Sequence, residues 1–227
     1  MNLFLYNNIY EQELNALTHL RHENIVLMVD HCLSTEKNAG CIFLEYLPFP
    51  SLFRHLQTKG RMKEDKAWLV LEQIVSAFTY MHERGFSHND FKPENVSYDE
   101  ENNKIKILDF GLSQQTPLIH TNYGSPLYMA PEVHTSQHYS PQCSDVWSIG
   151  VTFYEMLTGD VPWADCEDQD ELLDRLIFEE ETNLFVYPDY LSEETLNILN
   201  QILIKDPQKR ITSQKLHFEL STRKGFF

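Results

Sequence analysis

The chain has 227 residues, with 18 Lys and Arg against 34 Asp and Glu, and its formal net charge is −16 at pH 7. This balance argues against nucleic acid and anionic membranes as general partners and favours basic proteins. The length allows one or two domains, and a hydrophobic fraction of 42% is enough for a sizeable core.

The four cysteines, Cys32, Cys41, Cys143 and Cys166, form no C-x-x-C pair. We interpret them as reduced thiols of an intracellular protein, cytoplasmic or nuclear, rather than as a disulfide framework. Residues 1–10 are apolar but short and carry no basic residue, so they are not typical of a signal peptide. No run approaches the ~18 apolar residues of a membrane span, so no membrane partner is expected.

The first part of the chain predicts a helix, two strands and a long second helix. Residues 9–20 place apolar side chains along one side without Gly or Pro, which predicts a helix. Residues 25–33 and 41–45 are typical of two strands joined by a polar turn. Residues 63–84 repeat apolar side chains at helical spacing until Gly85, which is typical of a helix end.

The second part predicts one strand and several helices. Residues 104–108 alternate as a strand does, and residues 146–157 are almost wholly apolar, which is typical of a helix buried on all sides. Residues 168–181 predict an acidic helix and residues 192–203 an amphipathic one. A last short helix is expected after the run D-P-Q-K-R-I-T.

The stretch HNDFKPENVSYDEENNKIKILDFG, residues 88–111, carries the chemistry. It places Asp90, Lys92 and Asn95 on one short loop, and Asp109 at the end of the following strand. Two acids, an amide and a lysine that converge suit the handling of a polyphosphate and its magnesium ions. For either fragment alone, the alternative is a polar turn beside a strand.

H-N-D-F-K-P-E-N followed by D-F-G resembles the catalytic and metal-binding loops of the eukaryotic protein kinases. The later runs G-S-P-L-Y-M-A-P-E and D-V-W-S-I-G resemble further kinase motifs in the expected order. The resemblance implies an α+β, protein-kinase-like two-lobe fold, with one kinase domain over residues 1–227. Residues 1–50 would form a partial small lobe with one helix, two strands and the hinge, and residues 51–227 a mostly α large lobe.

The resemblance also implies roles in phosphoryl transfer. Asp90 is the expected catalytic base for the substrate hydroxyl, and Lys92 is expected to contact the transferring phosphate. Asn95 and Asp109 would hold Mg²⁺ between the phosphates of ATP, since that ion prefers oxygen ligands. A lysine two residues after the aspartate is typical of the serine/threonine kinases.

The same resemblance assigns the nucleotide's other contacts to the small lobe. Glu13 matches the acid of the small-lobe helix, which in the family pairs with a lysine. Leu44 is the expected gatekeeper of the adenine pocket. Glu45 and Leu47 bound the hinge segment, whose main chain would contact adenine.

Four further residues are expected to shape the large lobe or its substrate. Asp145 matches an acid that hydrogen-bonds the backbone of the catalytic loop, and Arg210 matches the arginine that pairs with Glu132. Glu94 and Glu155 match positions that in some kinases meet an arginine of the substrate. With the net charge of −16, they indicate a protein substrate of basic character.

Asn89 departs from the family, because it stands where an arginine normally pairs with a phosphate on the activation loop. A neutral amide cannot form that bidentate, charge-assisted bond. Phosphate on Thr116, Thr121, Tyr123 or Ser125 is therefore not expected to activate the enzyme by the usual route.

The nucleotide-covering elements of the family are also not found in the sequence. There is no G-x-G-x-x-G run, and the first lysine, Lys37, comes after Glu13. Residues 3–6 are interpreted as a remnant of the strand that normally carries the lysine. Either the reading frame was started too late or the kinase is degenerate. The prediction is an ATP-dependent serine/threonine protein kinase. The alternative is a pseudokinase or scaffold with weak or no nucleotide turnover.

Overall fold

The computed structural model describes residues 3–34, 39–119, 124–180 and 184–223. Its N-terminal part, here called the small lobe, is one helix packed on a two-stranded hairpin. Helix α1 spans Leu3–His19, and strands β1 and β2 span Met28–Ser34 and Ala39–Leu44. The hairpin is antiparallel, with a register irregularity between Met28 and Asp30.

The prediction that residues 3–6 are a strand remnant is wrong, because these residues form the first turns of α1. No Gly or Pro interrupts the sequence from Leu3 to His19, so nothing in it stops the helix from extending back. The first predicted strand also begins later than expected. Ile25 instead forms an isolated parallel bridge with Ile107 of the large lobe, and the Val26 N–H donates to the Ile107 carbonyl at 3.0 Å.

The large lobe is mostly helical and carries one short hairpin. The helices and the strand predicted for this part are found, with ends that agree to within three residues except that one helix begins five residues before the predicted apolar run 146–157. Its elements are α2 (Leu52–Lys59), α3 (Glu64–Glu83), β3 (Val96–Asp99), β4 (Lys104–Ile107), α4 (Pro131–Thr135), α5 (Pro141–Thr158), α6 (Gln169–Phe178), α7 (Glu193–Ile202) and α8 (Ser213–Arg223). Residue 181, the predicted end of the acidic helix, lies outside the described residues.

Helix α5 is the centre of the large-lobe core, as its apolar sequence predicts. Ser140 caps its first turn by accepting from the Cys143 N–H, and Pro141 occupies the first helical position. Gly159 ends it in the left-handed conformation, with φ of 93°. Between these ends the helix is buried from Ser144 to Leu157, so it fixes the elements packed around it.

A buried ion pair closes the large lobe, and it confirms the predicted pairing of Arg210 with Glu132. The two guanidinium nitrogens donate to the two carboxylate oxygens at 2.6 and 2.9 Å. The remaining donors reach the carbonyls of Cys143, Ile204 and Lys205. Full satisfaction of both partners is what makes a buried charge pair tolerable.

Within the described residues, no helix combines the length and apolar character that crossing a bilayer requires.

Candidate active site

The catalytic loop between α3 and β3 places Asp90 in a three-residue network. Its Oδ1 accepts a hydrogen bond from the Ser125 hydroxyl at 2.8 Å, and its Oδ2 lies 3.1 Å from the Lys92 ammonium. Lys92 in turn donates to the Ser125 oxygen at 2.6 Å. Asp90 and Lys92 are therefore brought together as the sequence predicts, and a serine from a distant segment joins them.

The sequence marks Ser125 only as a hydroxyl that could be phosphorylated. Its hydroxyl oxygen accepts a hydrogen bond from the Lys92 ammonium, and its hydroxyl group donates one to the Asp90 carboxylate. Ser125 therefore orients both side chains. The signal that could have found it is the run G-S-P-L-Y-M-A-P-E, whose proline begins the short 3-10 helix Pro126–Tyr128. Ser125 immediately precedes that helix and is held beside the catalytic loop.

Asn95 ends a 3-10 helix, Pro93–Asn95, that directly follows Lys92. Its side-chain Nδ2 donates to the Asp90 carbonyl at 2.9 Å, which leaves the amide oxygen free to act as a ligand. The Leu108 N–H donates to the Asn95 carbonyl at 2.8 Å. That bond connects the catalytic loop to the residue that precedes Asp109.

Asp109 follows β4 with a left-handed backbone, φ of 62°, and its carboxylate is solvent-exposed. One carboxylate oxygen accepts the Gly111 N–H at 3.3 Å. The exposed carboxylate and the free amide oxygen of Asn95 are hard oxygen donors, so they fit the ligand preference of Mg²⁺. The described residues hold no ready-made cluster of three His, Cys, Asp or Glu side chains for a metal, so phosphate or water oxygens would have to complete the shell.

Asp145, near the N-terminal end of α5, contacts the backbone of the catalytic loop. Its two carboxylate oxygens accept the backbone N–H groups of His88 and Asn89 at 2.8 and 2.9 Å. His82 of α3 lies 3.0 Å from the same carboxylate. Asp145 is 1% exposed, and the predicted contact to the catalytic-loop backbone is confirmed.

Glu13 of α1 faces the loop that carries Asp109. Burial raises the pKa of its carboxyl above the ordinary value, the Asp109 charge raises it further, and a hydrogen bond from the Phe110 N–H opposes both. Among the residues that the structure describes, no lysine or arginine pairs with it. Lys37, the first lysine of the sequence, lies outside the described residues.

A model of the protein kinase domain matches residues 5–219 of the chain. The chain belongs to the protein kinase family. The order of its loops and the contact of Asp145 with the catalytic-loop backbone are those that the kinase resemblance implies, and the α+β fold with a small and a large lobe agrees with it. The catalytic role of Asp90 and the metal-binding role of Asn95 stay predictions. The proposed division at residue 50 stays a prediction.

Known serine/threonine kinases resemble this kinase over most of its length. A probable serine/threonine-protein kinase HSL1 of Saccharomyces cerevisiae is 32% identical over 91% of this chain and 13% of its own length. The CBL-interacting protein kinase 17 of Oryza sativa is 37% identical over 88% of this chain and 44% of its own. The serine/threonine-protein kinase KIN4 of S. cerevisiae is 35% identical over 95% and 28%. The chain thus spans less than half the length of these relatives.

Asn89 shows what replaces the arginine of the kinase loop. Its backbone is left-handed, with φ of 69°, and its side-chain amide donates to the Leu112 carbonyl at 2.7 Å, just after D-F-G. A Cβ placed on Gly124 would lie 2.6 Å from the Asn89 carbonyl oxygen. The run G-S-P-L-Y-M-A-P-E, residues 124–132 and here called the docking segment, therefore packs closely on this loop.

The segment after D-F-G offers little to hold a phosphate. No Lys or Arg occurs between Lys106 and Arg175. The expectation that phosphate does not activate this kinase by the usual route stays a prediction, and Thr121 and Tyr123 lie outside the described residues.

The hinge residues follow β2 as expected, but their role toward a nucleotide stays a prediction. The Glu45 carboxylate accepts the Leu27 N–H at 2.8 Å and lies 2.7 Å from the Lys106 ammonium. Leu44, at the end of β2, is 38% exposed. Leu47 packs on the core and lines a cavity of about 500 Å³ beside the β3–β4 hairpin. Asp90 and Asp109 do not line that cavity, so it is separate from the catalytic loop.

Glu155 is buried in α5 and accepts the Tyr128 hydroxyl at 2.7 Å. Burial raises its pKa to about 7, and the charges of Glu94 and Asp160 act in the same direction. The two acids predicted to meet a substrate arginine, Glu94 and Glu155, are therefore close enough to influence each other. An incoming cation would relieve their repulsion.

Proposed function

We propose that this kinase transfers the γ-phosphoryl group of ATP to a serine or threonine hydroxyl of a protein. The observation that carries the proposal is the network of Asp90, Lys92 and Ser125, with hydrogen-bond or ion-pair distances of 2.6 to 3.1 Å. It places a carboxylate and an ammonium side by side, which phosphoryl transfer requires.

Each residue of this network has a distinct task in the proposal. Asp90 orients the substrate hydroxyl and accepts its proton, and Ser125 helps to hold the Asp90 carboxylate in place. Lys92 neutralises charge on the phosphoryl group. Asn95 and Asp109 supply oxygen ligands to Mg²⁺, and the bound ion offsets the negative charge of the phosphates.

We further propose a basic protein as the substrate, since the chain carries a net charge of −16 and Glu94 and Glu155 stand together beside the docking segment. The four cysteines are unpaired, which supports an intracellular location, cytoplasmic or nuclear. Neither nucleic acid nor membrane is proposed as a partner.

The test uses the full chain with Mg²⁺, labelled ATP and three basic peptides that differ only in carrying Ser, Thr or Tyr. We expect label on Ser or Thr and not on Tyr. Asp90→Asn should lower the transfer rate by about 10²–10⁴-fold without lowering the melting temperature, because it removes the base but little packing. Asp170→Asn, an exposed acid of α6, serves as the matched control.

A second readout separates binding from turnover. ATP with Mg²⁺ should raise the melting temperature of the chain, since a ligand of the native state stabilises it. Asp109→Asn should remove the magnesium-dependent part of this rise. Binding without transfer by the unmodified chain would contradict the proposal and favour the scaffold, whose supporting observation is that Glu13 has no cationic partner among the described residues.

A further inference from the structure

Two of the four cysteines lie directly opposite each other in the small-lobe hairpin. Cys32 of β1 and Cys41 of β2 are register partners in the antiparallel pair, and both are exposed with free thiols. Opposite residues on neighbouring antiparallel strands have Cα atoms about 4.5–5.5 Å apart, and disulfides span about 4.4–6.8 Å. The backbone therefore already provides the spacing of a cross-strand disulfide.

The two thiols also share one face of the hairpin, the face turned away from helix α1. A Cβ built on Gly40 would collide with the ring of Tyr10 in α1, so the side-chain direction at Gly40 points to the helix. Successive residues of a strand point to opposite faces, so Cys41 points outward. Directly opposed residues point to the same side, which places Cys32 beside it.

The other two cysteines are poorly placed to compete. Cys143 and Cys166 belong to the large lobe and are only partly exposed. Cys143 lies in the first turn of α5, and the Cys166 sulfur accepts from Arg175 at 3.8 Å. Neither lies in the hairpin.

We propose that Cys32 and Cys41 form a two-thiol oxidation site that a peroxide converts to an intramolecular disulfide. One thiolate attacks a peroxide oxygen and becomes a sulfenic acid, and the O–O bond breaks to release water or an alcohol. The second thiol attacks the sulfenic sulfur, forms the S–S bond and releases water. The two sulfurs together lose two electrons, which reduce the peroxide.

The consequence of this bond is a fixed register in the hairpin. Both strands are largely exposed on both faces, so burial does little to specify which residues pair. A disulfide at Cys32 and Cys41 would hold β2 on β1 three residues before Leu44 and the hinge. The proposal does not depend on catalysis, so its test stands apart from that of the kinase activity.

The direct test is peptide mapping of the full chain after treatment with hydrogen peroxide and blocking of residual thiols with iodoacetamide. Trypsin should cut after Arg21, Lys37 and Arg54, which puts the two cysteines into separate peptides, 22–37 and 38–54. We expect these two peptides joined, lighter by two hydrogen atoms than their sum, in monomeric protein. Joining only in covalent dimers, pairing with Cys143 or Cys166, or oxidation of single thiols alone would overturn the proposal.

Closeness along the chain could bring the two thiols together without any hairpin, so the folded geometry needs its own measurement. In a glutathione redox buffer, the effective concentration of the Cys32 and Cys41 thiols toward each other can be measured. It should be at least about tenfold higher in the folded chain than in the chain unfolded by guanidinium. Equal values in both states would contradict the proposal.

Variants and a second probe complete the test. The double variant Cys143→Ser, Cys166→Ser should keep the disulfide, and Cys41→Ser should abolish it while leaving Cys32 open to alkylation. One equivalent of phenylarsine oxide, which bridges neighbouring thiols, should protect both Cys32 and Cys41 of the reduced chain. Failure to protect both would also overturn the assignment.

Discussion

Helix α5 and the β1–β2 hairpin are both rich in apolar residues, yet their surroundings differ completely. In α5 the side chains from Ser144 to Leu157 are buried, whereas Val29, Leu33 and Phe43 of the hairpin are 67%, 62% and 52% exposed. A two-stranded hairpin is marginal by itself. The large lobe therefore holds its own geometry, whereas the hairpin depends on α1 and on the few contacts near Ile25.

The largest expected effect is the difference between two ion pairs, one buried within the large lobe and one that joins β4 to the residue after β2. Arg210→Met leaves the buried Glu132 carboxylate without its partner and should cost about 3–5 kcal/mol of unfolding free energy. Lys106→Met breaks the partly exposed pair with Glu45, whose carboxylate still accepts the hydrogen bond from the Leu27 N–H. This change should cost less than about 1 kcal/mol of unfolding free energy. Urea unfolding of both variants measures the difference. Equal losses would mean that the two lobes are held equally firmly.

The next effect concerns the catalytic loop, whose contacts to Ser125 lie wholly within the large lobe. Ser125→Ala removes hydrogen bonds to two charged groups and should lower kcat by about 10- to 100-fold with little change in melting temperature. Ser125→Thr retains the hydroxyl and should recover most of the loss. Steady-state kinetics with the basic peptide measures kcat and KM separately. An Ala variant with undiminished kcat would show that Asp90 and Lys92 need no such support.

Glu155 provides a pH-dependent measure of burial in the large lobe. Because its pKa of about 7 in the folded chain lies above the ordinary 4.5, the folded state binds the proton more tightly than the unfolded state. Its stabilising contribution is therefore present below about pH 4.5 and is lost as the pH rises toward 7. Relative to the unmodified chain, Glu155→Gln should gain about 1–3 kcal/mol between about pH 5 and pH 8.

Unfolding experiments across this pH range provide the check. Glu83→Gln changes an exposed acid at the end of α3 and should show no such trend. If the difference in unfolding free energy between Glu155→Gln and the unmodified chain did not change with pH, water or a cation would have to reach this carboxylate.

The smallest effect tests the bond that ties the catalytic loop to the segment after D-F-G. Asn89→Gly keeps the left-handed backbone at no steric cost but removes the amide that binds the Leu112 carbonyl. It should cost about 1 kcal/mol and speed hydrogen exchange of the amides in residues 110–115.

A matched control exists at Asn103, which is also left-handed and whose side chain accepts the Tyr98 hydroxyl. Asn103→Gly should lose similar stability but leave exchange at residues 110–115 unchanged. If both variants changed exchange there equally, the Asn89 bond would have no local role.

The sequence predicted best what short motifs and unbroken apolar runs encode. The catalytic loop, the pairing of Arg210 with Glu132 and the wholly buried α5 were all expected, because each rests on local patterns or on the kinase resemblance. The sequence does not locate the start of α1, because residues 3–6 suit a strand or a helix equally well and their own pattern does not decide between them.

Contacts between segments far apart in sequence were harder to foresee. Ser125 joins Asp90 across 35 positions through the path of the docking segment. The opposition of Cys32 and Cys41 depends on the hairpin register, which a count of cysteines and their spacing does not contain. The roles of Leu44, Glu45 and Leu47 toward a nucleotide also stay predictions, because their ligand would define them.

Asp145 makes the position of the catalytic loop depend on the packing of the large-lobe core. The carboxylate lies near the N-terminal end of α5, a helix buried from Ser144 to Leu157, and accepts hydrogen bonds from two consecutive backbone N–H groups of the loop that carries Asp90. A cavity created further along α5, far from the catalytic loop, would shift this end of the helix and misalign Asp90, the proposed base. Loss of activity through poor packing and loss through a damaged active site would then look alike in an assay, unless melting behaviour is recorded beside it.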